Sequence, residues 1–73
     1  MTTVLDSFIE AFKLGWEKNP NNPGNLKINI DDVAEDVGDD WIDAMLDKRP
    51  TYTFPDVSVR HKAYKLGKEY KPL

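Results

Sequence analysis

The sequence predicts a mainly α protein, a compact small domain of three to four helices. Three observations carry that prediction. Apolar residues recur at spacings of three and four over most of the chain, prolines and other turn formers separate those stretches, and only short segments alternate with period two. At 73 residues the chain is read as one domain, residues 1–73, and a chain this short buries only roughly 60% of the surface its unfolded form exposes. One core is the limit. With no Cys, neither a disulfide nor a thiolate metal site is available, so stability has to come from packing or from self-association, and a homodimer is one expected form.

Thr3, with Asp6 three residues on, marks the start of a first helix that runs to about Lys18, because a hydroxyl at the N-cap satisfies an orphan N–H and an acid suits the first turn. Leu5, Phe8, Ile9, Phe12 and Trp16 fall on one face of it and are the expected centre of the core. The run Asn19-Pro20-Asn21-Asn22-Pro23-Gly24-Asn25 is a loop, since two prolines forbid helix continuation. Leu26, Lys27, Ile28, Asn29 and Ile30 then alternate apolar and polar, and could pair with Tyr52, Thr53 and Phe54 as a short two-stranded ribbon packed on the helices. Asp31 or Asp32 is expected to cap a short helix ending at Gly38, and Asp39 or Asp40 a second one reaching about Lys48. The final helix starts near Asp56 after Pro55, buries Val59, Ala63, Leu66 and Tyr70, and ends before Pro72. The expected arrangement has the first and last helices flanking the central pair.

Ala11-Phe12-Lys13-Leu14-Gly15-Trp16-Glu17-Lys18-Asn19-Pro20 recurs as Ala63-Tyr64-Lys65-Leu66-Gly67-Lys68-Glu69-Tyr70-Lys71-Pro72, with Ala, Lys, Leu, Gly, Glu and Pro in register. Short repeats can signal duplication. The apolar stripes of the two helices pass through different stations of the repeat, however, and the expectation is two similar ways of ending an amphipathic helix. Ala11 with Gly15, and Ala63 with Gly67, set small residues four apart, so another backbone could approach closely on that side.

Charge is segregated along the chain. Residues 1 to 47 hold eleven acids against Lys13, Lys18 and Lys27, a net of −8, whereas Lys48, Arg49, Arg60, Lys62, Lys65, Lys68 and Lys71 face only Asp56 and Glu69, a net of +5. Such polarity suits a partner surface. The basic set is the candidate binding face for an acidic partner, and Asp36, Asp40, Asp43 and Asp47 are the candidate face for a basic one. The overall −3 opposes long-range attraction to a polyanion.

The inventory for catalysis is thin. There is no Cys, Ser7 and Ser58 lie in no nucleophile elbow, His61 is the single imidazole, and the four glycines are too scattered for a phosphate loop. The acids of residues 31 to 47 lack the alternating ligands and glycine turn of a calcium loop. No catalytic residue, metal or cofactor is therefore expected. The segment Asp32-Val33-Ala34-Glu35-Asp36-Val37-Gly38 followed by Trp41-Ile42 and Met45-Leu46 resembles a helix-turn-helix unit, which would make the chain a small nucleic-acid-binding protein. Its second helix would carry Asp39, Asp40, Asp43 and Asp47, which repel phosphates, so the basic C-terminal helix would have to make the contacts. The first expectation is instead a non-enzymatic interaction module, a regulatory or inhibitory adaptor with a protein partner. Nothing near the start resembles a signal peptide and no run is long enough for a membrane span, so the expected compartment is the cytoplasm, with no membrane partner.

Overall fold

Local capping fixes where the helices begin. The Thr3 hydroxyl oxygen accepts from the Asp6 backbone N–H at 3.0 Å while the Asp6 carboxylate accepts from the Thr3 N–H at 3.4 Å, a reciprocal box that starts α1, Val4–Glu17. The computed structural model describes residues 3–22 and 29–71, and among them α1 is followed by α2, Ile30–Lys48, and α3, Asp56–Glu69. The first and last helices thus start and stop as the sequence predicts. At the end of α1 the orphan carbonyls are taken up locally: Lys18 N–H donates to Gly15 O, Asn19 N–H to Trp16 O, and the Asn22 side-chain amide to Trp16 O at 3.1 Å.

The middle of the chain differs from expectation in three respects. The alternating stretch is not a strand where it is described: Asn29 is the N-cap of α2, its side-chain oxygen accepting from Asp32 N–H, and Ile30 is already helical. Residues 26–28 lie outside the described residues. Tyr52, Thr53 and Phe54 form no strand either, being held by rings, with Tyr52 edge-on to Phe54 at 4.8 Å and Phe54 tilted on Trp41 at 5.7 Å. Second, α2 is continuous through Gly38, so among the described residues there are three helices, and Gly38 is not the turn of a helix-turn-helix. Gly38 is a contact glycine instead. A Cβ there would come within 2.8 Å of Phe8 Cδ1 and 2.9 Å of Leu5 Cδ1, and with fully buried Ala34 one turn earlier it lets α2 close onto α1. Third, α1 is the middle element: it packs most extensively on α3 and also on α2, which meet one another only marginally.

The α1–α3 contact gives the repeat a structural meaning. A Cβ on Gly15 would overlap the Tyr64 carbonyl oxygen and lie 2.9 Å from Lys68 N; a Cβ on Gly67 would overlap the Phe12 carbonyl oxygen and lie 3.1 Å from Trp16 N. Shifting either set of residues by the repeat offset, Ala11 to Ala63, generates the other. The two helices therefore lie parallel and in register, related by a local twofold, with Ser7, Ala11 and Gly15 buried on one and Val59, Ala63 and Gly67 on the other. These faces do superpose, contrary to expectation, because the seam runs through the small residues rather than the aromatic stripe. Phe8, Phe12 and Trp16 point beside the seam, where Phe8 meets Trp41 at 5.7 Å and Tyr70 lies edge-on to Phe12 at 5.9 Å and Trp16 at 5.8 Å.

α2 runs antiparallel to α1. Its second residue, Asp31, pairs with Lys13 at 2.9 Å, and its Trp41 lies on Phe8. It then continues past the start of α1, giving a body 41 Å long and 21 × 20 Å across.

Replacing Gly15 or Gly67 with Ala forces a methyl group into backbone atoms that cannot turn aside, and each change should cost about 3 kcal/mol of unfolding free energy, the upper range for overpacking. Gly38→Ala should cost clearly less, since the added methyl group meets side chains of Phe8 and Leu5, which can shift, rather than backbone. Urea denaturation of the three variants checks the order; equal losses would mean that the α1–α3 seam is not the tighter contact.

Candidate interaction surface

The charged side chains stand outward because the seam and the aromatic cluster claim the other faces. Among the described residues two ion pairs form, Lys13 with Asp31 and Arg60 with Glu10 at 3.2 Å, both at the surface and so of small energetic weight. Lys13 is held above its ordinary pKa, first by the hydrogen bond to Asp31, then by the charges of Asp31 and Glu17, with desolvation opposing. Neither pair joins an acid of α2 to a base of α3. The two blocks of opposite charge seen along the sequence are thus not neutralised against each other: Asp36, Asp40, Asp43 and Asp47 are exposed on one outward face of α2, and Lys62, Lys65 and Lys68 are exposed on α3.

The expected basic face divides in space. Lys65 and Lys68 line a groove of about 510 Å³ together with Pro20, His61, Tyr64 and Glu69. Lys62 and Lys71 are exposed but do not line it, and Arg60 is half-buried and engaged with Glu10. Lys48 closes α2 and Arg49 is its C-cap, at the end of the molecule where α3 begins, so both are remote from the groove. Tyr70, interleaved with lysines in the sequence, turns inward to the aromatic cluster, whereas Tyr64 stays at the groove.

Asn19 lies beneath the groove and places its Pro20 wall, and the sequence gives it no role beyond a turn former. Only 5% exposed, it donates from its side-chain amide to Gly67 O at 2.8 Å and Tyr70 O at 2.6 Å, and its Oδ1 accepts from Asn21 N–H at 2.7 Å. It thereby caps the C-terminal end of α3 from the end of α1 and holds Pro20 against α3. Its partners are 48 and 51 positions away, beyond the reach of any local sequence signal.

At the opposite end of the molecule, α2 beyond Trp41 has an apolar edge without full cover. Ile42 and Met45 are half-buried and Leu46 is 37% exposed, beside the acids of the same helix. A smaller groove of about 300 Å³ runs along α1, lined by Asp6, Ile9, Glu10, Lys13, Leu14 and Glu17, where three acids surround a single lysine. Among the described residues no helix is long and apolar enough to cross a membrane, and no three His, Cys, Asp or Glu side chains gather as a metal site.

No family model, curated protein or solved structure matches this chain. Its surface chemistry is the ground on which a function can be argued.

Asn19→Asp keeps the shape of the side chain while removing both donors and placing a carboxylate against two carbonyl oxygens. At neutral pH it should lower stability by about 2 kcal/mol or more, the scale of a buried polar group left unpaired. Chemical denaturation measures this, and a stability equal to wild type would show that the cap on α3 carries no weight.

Proposed function

We propose that the chain is a non-enzymatic interaction module of the cytoplasm, a regulatory or inhibitory adaptor that takes a protein partner through the basic groove of α3. The observation that carries this reading is the open charge: lysines on one flank of α1 and aspartates on the other, with no ion pair between them among the described residues. The groove supplies more than charge. Pro20, the Tyr64 ring and the methylene stems of Lys65 and Lys68 make an apolar floor, while the ammonium groups stay at the rim in water. That combination suits an acidic segment with an apolar residue to bury, the rim charges steering encounter and fixing register while the buried contact holds the complex.

A nucleic-acid partner is the second reading, favoured by the gathering of Tyr64, Lys65 and Lys68 in one place. Two features weigh against it. The continuous acidic α2 removes the helix-turn-helix route, and the net charge of −3 opposes a polyanion at long range.

At low ionic strength an oligoglutamate peptide should shift the amide resonances of His61, Tyr64, Lys65 and Lys68, and the shifts should shrink as salt is restored. Lys65→Glu with Lys68→Glu should remove them while leaving the α1 resonances in place. A spectrum blind to the peptide overturns the groove as a binding face. A short DNA duplex that moves the same amides more strongly, with a steep salt dependence, would replace the protein partner by nucleic acid.

A further inference from the structure

We infer that the partner seated in the α3 groove is a second copy of this chain, entering with the protruding C-terminal end of its α2. The inference rests on the groove being the binding face, as proposed above, and it names the occupant from complementarity on the same molecule. The end of α2 carries what the groove lacks. Ile42 and Leu46 stand one helical turn apart, Asp39 and Asp43, also one turn apart and starting just before Trp41, form the adjoining row, and the bases at the tip are Lys48, on the opposite face, and the C-cap Arg49. The groove answers with an apolar floor at Pro20 and Tyr64 and with Lys65 and Lys68 at spacing three, against the single acid Glu69.

The two surfaces cannot satisfy each other within one copy. α2 passes Phe8 at Trp41 and runs on beyond the start of α1, whereas Asn19 ties the Pro20 wall to Gly67 and Tyr70, where α1 and α3 end. They therefore lie toward opposite ends of a body 41 Å long. One end-in-groove contact leaves the pair with one free donor end and one free groove, filled either by the reciprocal contact of the same two copies or by further copies in a ring or an open row. The cross-section of 21 × 20 Å limits the area each contact can cover, which puts it at the small, weak end of specific interfaces. Association is accordingly concentration-dependent and, with lysines and aspartates at the rim, salt-sensitive.

Sedimentation velocity on the full chain at low ionic strength, from micromolar to millimolar concentration, tests the inference. The weight-average mass should rise well above that of one chain, 8.4 kDa, and fall as salt is added. Lys65→Glu with Lys68→Glu, and separately Asp39→Lys with Asp43→Lys, should each stay at the mass of one chain. An equimolar mixture of the two should reassociate, because it restores one intact α2 end facing one intact groove. Leu46→Ser, at an exposed position, should weaken association at least several-fold with the fold retained by circular dichroism. Wild-type protein that stays monomeric at every concentration, a mixture that does not reassociate, or a Leu46→Ser variant that associates like wild type each overturns the inference. Monomeric protein that still binds oligoglutamate sinks the self-association alone; loss of both sinks the groove as well.

Discussion

The close backbone approach between α1 and α3 at Gly15 and Gly67 governs the rest of the arrangement. At both glycines a side chain would collide with a carbonyl oxygen of the facing helix, so the two helices can lie this close only where neither carries a Cβ. Small residues four apart are a general device for bringing helices together. Here the device appears twice, once in each copy of the repeat, and the copies meet in register. The seam itself is built on small residues, which leaves the larger side chains, Phe8, Phe12 and Trp16, to build the core on the flank toward α2 and Tyr70. Ala11 and Ala63 at the centre of the seam, 2% and 0% exposed, show how completely water is removed there.

A parallel pair of helices imposes a return path. The chain leaves α1 at one end and must enter α3 at the other, a distance of about 21 Å for a 14-residue helix. α2 makes the crossing, and at 19 residues, about 28 Å, it is longer than the gap. Because it meets Lys13 already with Asp31, it reaches the start of α1 near Trp41 and has about two turns left over. That surplus is why Ile42, Met45 and Leu46 lack full cover, and why the segment of Tyr52 and Phe54 has to fold back, with Phe54 tilted on Trp41, before Pro55 opens α3. The uncovered apolar edge and the aromatic turn are two results of one mismatch in length.

What could be read in the sequence follows the range of the interactions involved. Helices α1 and α3 were legible because their signals are local: a cap at Thr3, a proline at 55, apolar spacing of three and four. Gly38 misled because a glycine after an amphipathic run reads as a helix end, while its actual reason, the side chains of Leu5 and Phe8 lying against it, is a tertiary contact. The alternating stretch misled similarly, since Asn29 and Ile30 were drawn into α2 by a cap three residues long. The repeat showed that small residues recur four apart, but not that they face each other, because the aromatic stripe drew attention to the wrong side of α1. Of the candidate site, the segregation of charge was plain, whereas the grouping of Lys65 and Lys68 with Pro20, and their separation from Lys48 and Arg49, depends on Asn19 reaching across to the end of α3.

The position of α1 between its two partners also explains why the charge stays open. Were α2 and α3 neighbours, the aspartates of one would pair with the lysines of the other and the molecule would present a nearly neutral flank. With α1 between them, its own Glu10 and Lys13 reach only the inner edges, Arg60 on one side and Asp31 on the other. The outer rows remain in water, apart by more than the width of a helix, roughly 10 Å, which is also about the Debye length at physiological ionic strength. Opposite charges at that separation scarcely stabilise one another. The segregation therefore adds little to folding, and its physical consequence falls on encounters with other molecules.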